Sequence, residues 1–191
     1  AITNSDSDGI TWGITVNLDQ QFSSTSATVI VNGGDNDTIR NIENIIGTQN
    51  NDTIAASGAV NILKGESGND SFIQTATGIS GDDIDGGNDI DTVDYSDLSS
   101  GVTVTLNTSY YSNVIISGVN DHQIKNIENI TGSSASDFIA GDGNKNTLSG
   151  NDGSDVLDGG TNDDKLYGGD GNDRLKGGSG EEKKTSSKEF Y

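Results

Sequence analysis

The chain contains no cysteine, no proline and no methionine, and it has a single histidine. Without Cys there are neither disulfides nor thiolate metal sites, and one His leaves little scope for zinc chemistry. Basic residues are scarce: 10 Lys and Arg stand against 30 Asp and Glu, a formal charge of −20. Nucleic acid demands Lys and Arg for its phosphates, so it is excluded as a partner. An anionic membrane surface is disfavoured for the same reason. Hydrophobic residues are 29% of 191 and apolar runs span only a few positions, so no membrane insertion is expected. The start, Ala1-Ile2-Thr3-Asn4-Ser5-Asp6, lacks the basic and apolar regions of a cleaved signal peptide. Low hydrophobicity with high net charge ordinarily keeps a chain disordered, and self-repulsion opposes compaction. Two outcomes remain: the chain stays unfolded, or a cation is part of its fold.

What the chain does have is glycine, 27 residues of it, in a periodic arrangement. From Gly132 to Thr185 the sequence divides into blocks of nine: GSSASDFIA, GDGNKNTLS, GNDGSDVLD, GGTNDDKLY, GGDGNDRLK and GGSGEEKKT. Position 1 is always Gly; position 6 is Asp137, Asn146, Asp155, Asp164, Asp173 and Glu182. Position 8 is Ile139, Leu148, Leu157, Leu166 and Leu175, and fails at Lys184. The same register runs earlier, with position 6 at Asp52, Asn61, Asp70, Asp82 and Asp91 and three extra residues at Gln74–Ala76. Above this period lies a longer one. IRNIENIIG at Ile39 matches IKNIENITG at Ile124, an offset of 85, and GITVNL at Gly13 matches GVTVTL at Gly101, an offset of 88. The chain is a tandem duplication, each copy reading as an alternating strand, a variable stretch, a NIENI strand and a nonapeptide run.

Each block reads as a six-residue turn followed by a three-residue strand. Glycines at positions 1, 2 and 4 permit the positive φ of tight turns, and the strand sends one apolar side chain inward. One apolar residue in nine builds no core unless blocks stack. The expected fold is therefore all-β, a parallel β-roll or β-helix solenoid whose 18-residue rungs each use two nonapeptides, stacked about 4.8 Å apart. Stacking sets Asp137 over Asp155, Asp155 over Asp173 and Asp52 over Asp70. Uncompensated, such ladders repel by on the order of several kcal/mol per pair. A hard divalent cation bound by carboxylates and carbonyls removes the repulsion, and oxygen-only ligands select calcium. Folding and calcium binding then become one event.

GGDGNDRLK and GNDGSDVLD resemble the RTX (repeats-in-toxin) nonapeptide G-G-x-G-x-D-x-U-x, a likeness that covers about half of the chain. The resemblance implies a bacterial protein exported unfolded by type I secretion that folds in extracellular calcium as a parallel β-roll, binding several ions. It also implies ligands: in each site one block gives carbonyls from positions 2 and 4 plus its Asp, and the block two later gives carbonyls from positions 1 and 3 plus its Asp. Carried over, one site joins Asn151, Gly153 and Asp155 to Gly168, Asp170 and Asp173. A second joins Ser133, Ala135 and Asp137 to Gly150, Asp152 and Asp155. In the first copy, Thr48, Asn50 and Asp52 face Gly65, Ser67 and Asp70. Departures weaken others: Asn146 sets a neutral amide opposite Gly159, Thr161 and Asp164, and the extra residues at Gln74 unsettle the pairing of Asp70 with Asp91. Asp82 and Asp91 extend the acidic columns.

No catalytic residue emerges. His122, in a polar stretch, reads as an exposed loop residue; Glu43 and Glu128 begin the roll; Asn41, Asn44, Asn126 and Asn129 are turn or ladder amides. Trp12 packs at the N-terminal end, while Lys165, Arg174 and Lys176 face outward. Tyr110 and Tyr111 lie at an exposed strand edge, where they are also candidates for stacking on a sugar. The leading functional expectation is a calcium-binding module that helps a larger secreted or cell-surface bacterial protein fold, stay soluble or extend. The alternative is a carbohydrate-binding or adhesive module recognising a polysaccharide or cell-surface glycan through the variable stretches, 19–36 and 107–123. A polysaccharide lyase is disfavoured because the rungs are short and the bases scattered. The expected division is a first solenoid repeat at 1–100 with nonapeptides 47–94, a second at 101–185 with nonapeptides 132–185, and a tail at 186–191. Ends without convincing caps suggest a piece of a longer chain.

Overall fold

The computed structural model describes residues 14–17, 27–31, 37–39, 44–75, 81–180 and 183–185. Within these, no helix occurs and 21 strands follow one another. They are β1 (Ile14–Asn17), β2 (Ala27–Val31), β3 (Asp37–Ile39), β4 (Asn44–Ile46), β5 (Thr53–Ala55), β6 (Ile62–Ser67) and β7 (Ser71–Ile73). Then come β8 (Asp83–Asn88), β9 (Thr92–Asp94), β10 (Val102–Thr105), β11 (Ser112–Ile116), β12 (Val119–Lys125), β13 (Asn129–Thr131) and β14 (Phe138–Ala140). The last are β15 (Thr147–Ser149), β16 (Asp152–Gly153), β17 (Val156–Asp158), β18 (Lys165–Tyr167), β19 (Asp170–Gly171), β20 (Arg174–Lys176) and β21 (Lys183–Thr185).

Successive nonapeptide strands alternate between two sheets. Sheet I has the order β21-β18-β15-β13-β9-β7-β5-β1-β2-β3, and sheet II the order β20-β17-β14-β10-β11-β12-β8-β6-β4. Parallel neighbours are offset by 18 residues, as in Thr53↔Ser71, Phe138↔Val156 and Leu148↔Leu166. The extra residues after Gln74 stretch the offset to 21, as in Leu63↔Ile84 and Phe72↔Val93, without breaking either ladder. The chain is thus a β-solenoid.

Position 8 supplies the core. Ile54, Phe72, Val93, Ile130, Leu148 and Leu166 line sheet I, and Ile45, Leu63, Ile84, Ile139 and Leu157 line sheet II, all buried. In the rungs made only of nonapeptides, such as 147–158, these thin ladders place one position-8 side chain in each sheet, so burial depends on the rungs above and below. Leu175, on the last strand of sheet II, is only partly buried against them.

The variable stretches interrupt the roll in a way periodicity did not anticipate. In the second copy β10, β11 and β12 form an antiparallel meander, with β10 parallel to β14 and β12 parallel to β8. The first copy repeats it as β1-β2-β3, with β1 parallel to β5. The NIENI segment of the second copy is not a strand through its length. Asn126, at φ 53°, turns the chain, and only Asn129 onward is extended. The equivalent residues 40–43 lie outside the described set, as does Trp12.

Candidate metal centre

The six-residue turns form two columns on opposite flanks. Turns 47–52, 65–70, 86–91, 141–146 and 159–164 lead from sheet II to sheet I, and turns 56–61, 132–137, 150–155 and 168–173 lead back. Along both columns the position-6 side chain reaches to the rung before it. Asp70 Oδ1 accepts the Asp52 N–H at 2.8 Å, Asp91 that of Asp70 at 2.8 Å, and Asp82 that of Asn61 at 2.7 Å. Asp155 accepts from Asp137 at 2.8 Å, Asp164 from Asn146 at 2.9 Å, and Asp173 from Asp155 at 3.2 Å. Asp70 and Asp91 are thus brought together despite the added residues between their rungs.

Where a glycine leads the turn, it opens a cradle. A methyl group on Gly65 would collide with Asp70 Oδ2 and the Gly86 carbonyl, and on Gly150 with Asp155 Oδ2 and the Gly168 carbonyl. One carboxylate oxygen and one carbonyl oxygen therefore converge where a Cβ would stand. The second carboxylate oxygen of Asp70, Asp91 and Asp155 is buried without a hydrogen-bond donor. A buried, unpartnered carboxylate oxygen is costly, and a cation ligated by oxygens is the group that resolves it.

The backbone sorts the turns into two kinds. In one kind positions 2 and 4 both take positive φ: Glu66 and Gly68, Gly87 and Asp89, Asn151 and Gly153, Gly160 and Asn162, Gly169 and Gly171. Non-glycine residues rarely accept this conformation, yet Glu66, Asp89, Asn151 and Asn162 do. In the other kind position 2 carries a side-chain oxygen that closes the turn on itself: a hydroxyl at Thr48, Ser57 and Ser133, and a carboxylate at Asp142, which accepts the Asn144 N–H at 2.7 Å. Thr48 donates its N–H to Asp52 Oδ2 at 2.6 Å and its hydroxyl to Oδ1 at 3.1 Å. Ser133 does the same to Asp137 at 2.7 and 2.9 Å, and Ser57 binds Asn61 in this manner at 2.8 and 3.2 Å.

The residues assigned from sequence divide accordingly. Asn151, Gly153 and Asp155 have the open turn and face Gly168, Asp170 and Asp173, with Asp152↔Asp170 and Gly153↔Gly171 paired in parallel. Ser133, Ala135 and Asp137 do face Gly150, Asp152 and Asp155, but the Ser133 hydroxyl occupies both Asp137 and the Ala135 carbonyl. Thr48, Asn50, Asp52, Gly65 and Ser67 repeat that closed pattern, the Thr48 hydroxyl reaching the Asn50 carbonyl at 3.3 Å and its carbonyl accepting from Ser67. Asn146 forms an amide ladder, accepting from Asp142 and donating to the Glu128 carbonyl, each at 2.9 Å. Thr161 pairs with Ser179 beside Gly159 and Asp164. The turn 65–70 as a leading block, with Glu66 and Gly68, was not singled out from sequence; the absence of Ser, Thr or Asp at position 2 was the available signal.

Electrostatics follow the same division. Burial, reinforced by neighbouring carboxylates, pushes Asp70 and Asp91 up to about 7 and Asp155 up to about 6. Asp52 and Asp137 are also raised by burial, with the hydroxyl and backbone donors around them pulling the other way.

One flank of the first copy departs from the pattern. Where glycines lead elsewhere, Ala56, Gln74 and Tyr95 stand in column, each donating its N–H to the following rung as the glycines do. Tyr95 is fully buried, and its hydroxyl lies 2.8 Å from His122 Nε2, while His122 Nδ1 lies 3.0 Å from Asp121 Oδ2. Burial holds the phenol protonated far above its usual range, and the Tyr95 hydroxyl shares a hydrogen bond with Nε2 while the Asp121 carboxylate accepts from Nδ1–H. This corrects the reading of His122 as an exposed loop residue: it is 3% exposed, faces inward on β12 and sits in register above Asp82. Asp82, pushed up to about 6 chiefly by burial, is met by Gln74 and His122.

Among the described residues no three Asp, Glu, His or Cys side chains cluster; the acidic groups come in pairs, with carbonyls completing any ligand set. The family model for the RTX calcium-binding nonapeptide repeat (4 copies) matches residues 41–72, 126–157 and 149–181. Residues 41–72 and 126–181 of the chain are thus RTX calcium-binding nonapeptide repeats. No curated protein matches it. RTX repeats bind calcium, and they are typical of secreted bacterial proteins. The open turns of this RTX solenoid fit such an ion: paired carboxylates, an unpartnered oxygen on the leading one, and a cradle kept free of Cβ.

Proposed function

We propose that the chain is a calcium-dependent folding and stabilising module of a larger secreted or cell-surface bacterial protein, built of solenoid repeats 1–100 and 101–185. The observation that carries this is the set of buried, donor-free oxygens on Asp70, Asp91 and Asp155. Calcium held there by Asn151, Gly153, Asp155, Gly168, Asp170 and Asp173, and by the matching turns 65–70 and 86–91, neutralises the ladders and couples neighbouring rungs. The hydroxyl-closed turns at Thr48 and Ser133, which open the two nonapeptide runs, and at Ser57 supply weaker sites or none. The module itself carries out no chemistry in this reading. Equilibrium dialysis against radioactive calcium tests it: the full chain takes up more than one ion, and uptake of none sinks the proposal.

A second reading, glycan recognition, has one observation in its favour. A shallow groove of about 310 Å³ crosses the outer face of the second meander, lined by Thr103, Thr105, Asn107, Tyr111, Asn113 and Ile115. Tyr111 is 43% exposed there, and the Lys125 ammonium sits 5.2 Å from its ring centroid. Hydroxyl and amide groups beside an aromatic face suit a neutral sugar. A glycan array probed with the wild type and Tyr111→Ala decides it; no glycan bound by the wild type ends this reading.

A further inference from the structure

The two sequence copies meet where β12 pairs with β8 and β13 with β9. On the flank leading from sheet II to sheet I, the last turn of the first copy, Gly86 to Asp91, is followed in the stack by a corner of three residues, Asn126-Ile127-Glu128. Every other described turn of that column has six. The geometry points to a divalent-cation site across this junction, held by the Asp91 and Glu128 carboxylates and the Asn126 carbonyl. It rests on the calcium reading above, yet its ligands come from a corner that is not a nonapeptide, and the leading turn lies outside the segments matched by the family model.

Asn126 stands in the column where a leading glycine belongs. A methyl group on Gly86 would collide with the Asn126 carbonyl and Asp91 Oδ2, as one on Gly150 would with the Gly168 carbonyl and Asp155 Oδ2. Positive φ shapes the corner at Asn126, whose side-chain amide donates to Asp85 Oδ1 at 2.7 Å. Glu128 stands where Asp stands elsewhere. Its Oε2 accepts the Asp91 N–H at 2.9 Å, the bond an Asp Oδ1 makes on other rungs. The longer side chain supplies the reach that the three missing turn residues remove.

Asp91 is 0% exposed, and its Oδ2 has no hydrogen-bond donor. Its own turn is of the open kind, with Gly87 at φ 105° and Asp89 at φ 77°. Among the described residues no basic side chain is paired with Asp91 or Glu128, and Lys125 is paired with Asp85 at 2.9 Å. Both carboxyls are pushed up, Asp91 to about 7, by burial first and by neighbouring carboxylates after it. Two carboxylates with carbonyl oxygens and no nitrogen or sulfur suit calcium. An ion here ties the end of one copy to the start of the next. On the opposite flank of the same junction, the Tyr95–His122 pair does so without metal.

The test is diffraction from crystals of the wild-type chain grown with terbium in place of calcium, read by anomalous scattering. The site gives a peak between Asp91 and Glu128 with oxygen neighbours at about 2.3–2.6 Å. Peaks at Asp70 and Asp155 with none at the junction overturn this inference and leave the module reading intact; no peak anywhere overturns both. Glu128→Gln provides a second measurement in solution, lowering the calcium bound at saturation by one ion per chain. Glu128→Asp, which keeps the charge but loses the reach, lowers it equally. Unchanged stoichiometry in both variants overturns the site.

Discussion

Asp155→Asn separates the two roles of a ladder carboxylate, because its effect should change sign with calcium. The wild-type side chain is fully buried; Oδ1 accepts the Asp137 N–H, while Oδ2 has no donor and faces the Gly168 carbonyl across the cradle. Asn keeps the first bond and places an NH₂ opposite that carbonyl. Without calcium, burial and then the charges of Asp137, Asp173 and Asp152 raise the wild-type carboxyl from 3.8 to about 6. A raised folded-state pKa means that folding takes up a proton. The penalty is therefore absent below pH 3.8, grows through the interval, and is complete above about 6. The full shift corresponds to about 3 kcal/mol, and solvent screening along the open flank leaves about 1–2 kcal/mol. In chelator at pH 8 the variant should fold at a lower concentration of trimethylamine oxide, an osmolyte that drives burial; at pH 4 the difference should vanish. In excess calcium the missing ligand should weaken its site at least tenfold, about 1.4 kcal/mol, and the variant should melt below wild type. Circular dichroism reads both. A variant that is less stable than wild type under both conditions would refute a cation-ligand role for that oxygen.

Other outcomes follow from packing and from the junction. Leu157→Ala empties a fully buried position between Ile139 and Leu175 in register, and should cost about 2–5 kcal/mol in urea unfolding with calcium present. Leu175→Ala, at the partly buried end, should cost less than half of that; equal costs would contradict the stacking account. Tyr95→Phe leaves a buried imidazole nitrogen without its hydrogen-bond partner and should cost about 1–3 kcal/mol with no change in calcium stoichiometry. A lost ion in that variant would show that the Tyr95–His122 pair is not metal-independent. Gly153→Ala, at φ 137° and against the Ala135 carbonyl, should raise the calcium needed for folding, and an unchanged midpoint would count against the open-turn geometry.

The sequence made the roll legible because its physics is periodic: one apolar residue in nine must be stacked, and Ile139, Leu157 and Leu175 are stacked in register. The acidic columns were legible for the same reason. The meanders were not, since β11 and β12 pair locally through a bulged antiparallel register that leaves no mark at the nonapeptide period. His122 was misread because its neighbours Asp121 and Gln123 are polar; strand alternation points them away from the core and His122 into it. The corner at Asn126 was hidden because Glu128 and Ile130 kept positions 6 and 8 while the residues ahead of them were shortened. The distinction between open and closed turns rests on one side chain per block, Ser, Thr or Asp at position 2, which composition alone does not reveal.

The central claim is that calcium completes this fold rather than decorating it. Far-ultraviolet circular dichroism of the whole chain, recorded in chelator and then through a calcium titration to about 10 mM, tests it most directly, since extracellular calcium modules bind at about 10⁻⁴–10⁻³ M. The account predicts a coil-like spectrum in chelator at pH 8 and a cooperative gain of β signal with calcium, not reproduced by magnesium. A chain with full β signal and an unchanged melting temperature in chelator would contradict it.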